Sequence, residues 1–129
     1  MDTRIDPLAI FSIKIGDAKI IRNAGGRVTQ DTLRSLILAK AFLGVKKILI
    51  MHHTECALAN TTNAEIEKGL PVEMKEFAAH IDFLPMENLD GALHEDVNQL
   101  LTNTALSNLE IEGWRYDVQT GKASRIFHS

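Results

Sequence analysis

The chain has 129 residues, 45% of them apolar and 24% charged, with a formal net charge of −3. That length suits one domain, residues 1–129, able to bury roughly two-thirds of the surface its unfolded chain exposes. The mild acidity argues against the basic patch of a nucleic-acid or membrane-surface binder, and 5% aromatic residues leave no stacking platform for single strands.

No run approaches the ~18 consecutive apolar residues of a membrane span. The opening Met1-Asp2-Thr3-Arg4-Ile5-Asp6 lacks the basic-then-apolar order of a secretory signal. One cysteine, Cys56, rules out an intrachain disulfide and points to a reducing compartment, with the cytoplasm as the simplest setting.

Residues 1–7 read as a loop ending at Pro7, and Leu8–Ile15 as a short helix or apolar turn closed by Gly16-Asp17. Ala18–Asn23 reads as a short strand on the weight of Ile20 and Ile21, broken by Asn23-Ala24-Gly25-Gly26. This glycine pair lacks the pattern of a phosphate loop.

The clearest helix follows. Thr29 is its N-cap, Asp31 suits the positive end of the dipole and Gly44 is its C′ residue. Leu33, Leu36, Ile37 and Leu43 share its apolar face, with Lys40 the polar intruder.

Ile48-Leu49-Ile50-Met51 is an unbroken apolar run, which predicts a strand buried on both faces within a parallel sheet. Ala57–Leu70 can be helical, entered through Thr61-Thr62-Asn63. Val72–Ile81 is helical or irregular. Asp90–Leu101 predicts an amphipathic helix with Leu93, Val97, Leu100 and Leu101 inward. Trp114–Val118 and Ser124–Phe127 predict a β-hairpin across Gln119-Thr120-Gly121-Lys122. Strands alternating with helices define an α/β class.

Chemistry concentrates after the apolar strand. His53 and Cys56 stand three apart where strand ends border a ligand crevice. An imidazole and a thiolate there suit zinc. A structural histidine beside a cysteine serving as a small hydrophobe produces the same spacing. His52 is read as packing or hydrogen-bonding near the strand end, with Met51 and His53 on the opposite face. Asp2 and Arg4 lie on one side of an extended chain and can pair; such a pair in solvent is worth ~0–1 kcal/mol.

Several segments in order resemble the β-class carbonic anhydrases. They are Met1-Asp2-Thr3-Arg4, Gly16 through Gly25, Arg34-Ser35-Leu36, His52-His53-Thr54-Glu55-Cys56 and Gly113 through Lys122. The resemblance implies an α/β fold with a mostly parallel sheet flanked by helices. It implies zinc held by a C-x-D-x-R and an H-x-x-C motif, with His53 and Cys56 as ligands. Asp2 and Arg4 match the pair that orients water, and in a closed state Asp2 itself is a ligand. Gly25 would line the substrate cleft. The implied reaction is zinc-dependent reversible hydration of CO2 to bicarbonate by zinc-bound hydroxide, in a homodimer or higher homo-oligomer.

Two departures bear on this. The C-x-D-x-R cysteine would precede Met1, so the first strand and N-terminal helices of the family are expected to be missing. Ala57 stands where the family has glycine, which strains the turn only if its φ is positive. Weak zinc affinity and weak hydration are therefore expected. A non-catalytic paralogue or partial reading frame is the rival, and a carbonyl sulfide or carbon disulfide hydrolase the third possibility.

Overall fold

The computed structural model describes residues 1–129. Its sheet has three strands, β1 (Lys47–His53), β2 (Glu110–Asp117) and β3 (Lys122–His128), in spatial order β1-β2-β3. β1 pairs parallel to β2, bringing His53 opposite Tyr116. β2 and β3 form the expected hairpin, antiparallel, with a register shift between Gly113 and Trp114. The α/β class holds, and the sheet is mixed.

Five helices accompany it: α1 (Pro7–Ile10), α2 (Gln30–Leu43), α3 (Asn63–Gly69), α4 (Val72–Ala78) and α5 (Leu89–Leu101). The α2 boundaries follow the sequence signals. The Thr29 hydroxyl accepts from the Thr32 N–H, and Gly44 closes the helix with φ +68°. In α3 a capping box links Thr62 and Glu65 in both directions. The predicted helix over Ala57–Leu70 shrinks to that span. Residues before it instead form a short parallel bridge, Ala59 to Met86.

The core lies between α5, α2 and one face of the sheet. Ile48 and Ile50 of β1, Ile111 of β2 and Leu93, Val97 and Leu100 of α5 form it with Val28 and Leu106. Leu33 and Leu36 of α2 pack against its margin. Gly113 permits the close approach of helix and sheet: a Cβ there would sit 3.1 Å from Val97 and 3.2 Å from Phe127.

Several expectations need correction. Ala18–Asn23 forms no strand, because no ladder partner lies alongside it, and Ile20 and Ile21 are exposed. β1 is not buried on both faces. Ile48, Ile50 and His52 face inward while Leu49 is 40% exposed, because the helices pack on one side only. On α2, Ile37 and Leu43 face solvent and Ala39 is the buried residue; on α5, Leu101 is exposed. Lys40 is no misfit: its ammonium donates to the carbonyls of Ala105 and Ser107, at 2.9 and 2.7 Å.

The other sheet face carries Trp114, met edge-on by Phe11 at 5.3 Å. It also carries Glu112, nearly fully buried yet ionised. Burial pushes its carboxyl up. Lys47, Trp114 Nε1 and Arg125, donating at 2.9, 2.8 and 2.9 Å, outweigh burial and hold it down at about 2.

Two outcomes test these packing statements. Because the folded carboxyl of Glu112 titrates lower than the unfolded one, its stabilisation is complete above about pH 4.5 and lost as pH falls toward about 2. Urea midpoints measured across that window should fall with acid, and less steeply in Glu112→Gln. Gly26 adopts φ +67° and a Cβ there would meet the Met51 carbonyl at 2.7 Å. Gly26→Ala should therefore cost about 2–4 kcal/mol in the same measurement.

Candidate metal centre

β1 delivers His53 to its carboxyl end on the face opposite His52. The His53 Nδ1 lies 2.8 Å from the Thr54 carbonyl. A carbonyl only accepts, so Nδ1 carries a proton, and its bond to Thr54 orients the ring and leaves Nε2 as the nitrogen open to a metal.

Thr54 anchors the turn that follows. Its N–H donates to the Tyr116 carbonyl at 2.9 Å and its hydroxyl accepts from the Val118 N–H at 3.0 Å. Glu55 then enters the left-handed region at φ +56°, and Cys56 follows as a half-buried free thiol. Ala57 is not among the positive-φ residues, so the departure from glycine costs the backbone nothing; any strain sits at Glu55.

Asp2 and Arg4 do pair. Arg4 donates to Asp2 from its backbone N–H at 2.8 Å, from Nε at 3.0 Å and from NH2 at 2.8 Å. Asp2 Oδ2 lies 3.9 Å from His53 Nε2. The side-chain bond from Arg4, then its backbone bond, hold the Asp2 carboxyl well below the usual carboxylate range, and His53 adds to this. Asp2 is thus an anion whose Oδ2 faces the histidine nitrogen.

The structure brings Asp2, Arg4 and His53 together. It does not gather Asp2, His53 and Cys56 into a three-donor cluster. The one group of three such donors lying within 4.8 Å of one another is Glu110, Glu112 and His128. A cation already sits there: Lys47 Nζ is 2.8 Å from Glu110 and 2.9 Å from Glu112. At the His53 end, donor chemistry fits zinc: a bare imidazole nitrogen and an unpaired thiol three residues on. Asp2 Oδ2, which accepts a single bond from Arg4, keeps a lone pair 3.9 Å from that nitrogen.

Gly25, with φ +71°, lies against Leu58; a Cβ would meet Leu58 Cδ1 at 3.0 Å and Arg27 Cγ at 3.2 Å. The closer backbone approach is made by its neighbour Gly26. Sequence reasoning overlooked the support beneath β1. His52, fully buried, places Nε2 3.0 Å from Asp96 Oδ2. Arg27 Nε is 2.9 Å from the same oxygen, and the Val28 N–H donates to Asp96 Oδ1 at 3.3 Å. A charged residue within the inward stripe of an amphipathic helix was the available signal.

The carbonic anhydrase family profile matches residues 1–103. Beta-carbonic anhydrase 1 of Mycobacterium tuberculosis is 31% identical over 131 residues, covering 98% of this chain and 77% of that protein. A carbon disulfide hydrolase of Acidithiobacillus thiooxidans is 28% identical over 142 residues, covering 94% and 71%. The crystal structure of a carbonic anhydrase from Streptococcus mutans superposes with a TM-score of 0.88 at 35% identity, covering 98% of this chain and 77% of that one. The chain belongs to the β-class carbonic anhydrase family.

Removing Asp96 should strand two buried polar groups at once. Asp96→Ala is expected to lower unfolding free energy by about 3–5 kcal/mol, read from urea denaturation. A loss below about 1 kcal/mol would mean that Arg27 and His52 find other partners.

Proposed function

We propose that this chain catalyses the zinc-dependent reversible hydration of CO2 to bicarbonate, weakly for its family. The observation that carries the reading is His53, its Nδ1–H spent on Thr54 and its Nε2 facing an Asp2 that Arg4 holds ionised. His53 and Cys56 would hold the metal, and Asp2 is the third donor within reach of the histidine. Zinc supplies a Lewis acid that brings the pKa of water down to ~7.

The chain's own residues do the rest. Arg4 occupies both Asp2 oxygens from one side. Oδ2 keeps a lone pair toward His53 and can accept a proton of attacking water there, aiming that water's remaining lone pair at carbon. One C–O bond forms, one C=O π pair moves onto oxygen, and one proton leaves to buffer. Asp2 cannot serve as orienter and ligand together, which is the reason to expect weak activity. A relative named carbon disulfide hydrolase supports a second reading, in which the same site hydrolyses carbon disulfide or carbonyl sulfide.

A homodimer or higher homo-oligomer is part of the proposal. Phe42 is 78% exposed, and Ile37, Leu38 and Leu43 of α2 are exposed with it, apolar surface that a second copy would cover. The unpaired Cys56 supports a reducing, cytoplasmic setting.

Metal analysis of the purified chain supplied with zinc, with stopped-flow CO2 hydration, tests the reading. About one zinc per chain is expected, falling at least about tenfold in affinity in Cys56→Ser and His53→Ala. Hydration should exceed buffer and fall in both variants. A folded chain without metal or hydration would leave the non-catalytic alternative; sulfide release from carbon disulfide without CO2 hydration would favour the second reading.

A further inference from the structure

Residues 1–6 belong to no helix or strand, yet they carry the Asp2–Arg4 pair. Something must hold that segment against His53. The N-terminal ammonium donates to the Asn23 carbonyl at 2.8 Å and Arg22 donates to the Asp2 carbonyl, but both act on backbone and leave the Arg4 fork free to rotate. The fork is fixed elsewhere. Arg4 NH1 donates to Glu55 Oε2 at 3.1 Å, and NH2 donates to the Glu55 carbonyl at 3.1 Å while also serving Asp2. Glu55 Oε1 in turn accepts from Gln119 Nε2 at 2.5 Å. Gln119 sits in the β2–β3 turn, where its N–H donates to Asp117 Oδ1 at 2.9 Å.

We propose that Glu55 is a positioning residue: it grips the NH1–NH2 end of Arg4 while Asp2 holds the Nε–NH2 edge and, braced by Gln119, holds the water-orienting pair beside His53. The inference rests on the reading of Asp2 and Arg4 given above. Arg4 is a planar fork, so two carboxylates on different edges fix its rotation as well as its position. Asp2 grips Nε and NH2; the Glu55 carboxylate grips NH1 while its carbonyl shares NH2. With the Glu55 carboxylate gone, NH1 loses its partner and only the backbone carbonyl of residue 55 remains at that end, so the guanidinium can swing while still paired, and Asp2 Oδ2 swings with it. The left-handed backbone at Glu55 serves this arrangement, since it turns the Glu55 carbonyl toward Arg4 within the short span between His53 and Cys56. Stability should hardly change, because Arg4 and Glu55 side chains are each 46% exposed.

The test uses the full chain with Glu55→Ala, Glu55→Gln and Gln119→Ala. Alanine retains a Cβ, so the left-handed backbone cost at position 55 is unchanged. The first readout is the exchange rate of the Arg4 Nε–H signal by NMR on metal-free protein, which needs neither zinc nor turnover. The second is the split between kcat and KM for CO2 on the zinc-loaded chain. Glu55→Ala should speed Arg4 Nε–H exchange several-fold and lower kcat about tenfold, with KM and zinc content held. Gln119→Ala should give a smaller change in the same direction. Glu55→Gln, which keeps an acceptor for NH1, should recover most of the loss. Wild-type exchange in Glu55→Ala overturns the proposal, as does a lowered zinc content that accounts for all lost activity. If Arg4 loosens in Glu55→Ala but the wild-type chain hydrates no CO2, the positioning role stands and the assigned reaction falls.

Discussion

Both oxygens of Asp96 are spoken for: Oδ1 by the Val28 N–H, Oδ2 by His52 Nε2 and the Arg27 guanidinium. A carboxylate 3% exposed is tolerable only with such company, because burying a charge without partners costs several kcal/mol. The partners come from two distant parts of the chain, so the carboxylate fastens the glycine turn and β1 to α5. Arg27 carries the tie further, donating to the carbonyls of Leu84 and Pro85 at 3.1 and 3.2 Å. The consequence for chemistry is geometric. Once His52 is committed to the α5 side, strand alternation sends His53 to the other face, where Asp2 and Arg4 lie. Gly26 reinforces the constraint, since only a residue without Cβ can lie so close to the Met51 carbonyl.

What could be read from sequence was whatever is local. Thr29 and Gly44 mark the ends of α2 because caps satisfy orphan backbone groups within a few residues. The hairpin was legible for the same reason: Asp117 and Gly121 build its turn from within. His53 stood out by its place after an apolar run. The failures were all matters of partnership over distance. Ala18–Asn23 has strand composition, but a strand exists only against another strand. The apolar run of β1 looked two-sided, but what covers a strand's second face is not written in the strand. Asp96 lies in the inward stripe of its helix, but its partners Arg27 and His52, 69 and 44 positions away, are not written there. Glu55 stands between His53 and Cys56 with nothing nearby to disclose its contacts to Arg4 and Gln119, which span 51 and 64 positions.

The spacing of His53 and Cys56 sets a geometric condition on the turn between them. Residues three apart in a continuous strand point to opposite faces, so extended chain would hold imidazole and thiol apart. β1 stops at His53, and the left-handed Glu55 lifts that constraint before Cys56 is reached. Asp2 accepts three bonds from Arg4, two on Oδ1 and one on Oδ2, so Oδ2 retains a lone pair on the side of His53. Under the proposed function that lone pair is claimed by attacking water or by metal, never by both, so the two roles compete for one atom rather than for the Arg4 grip.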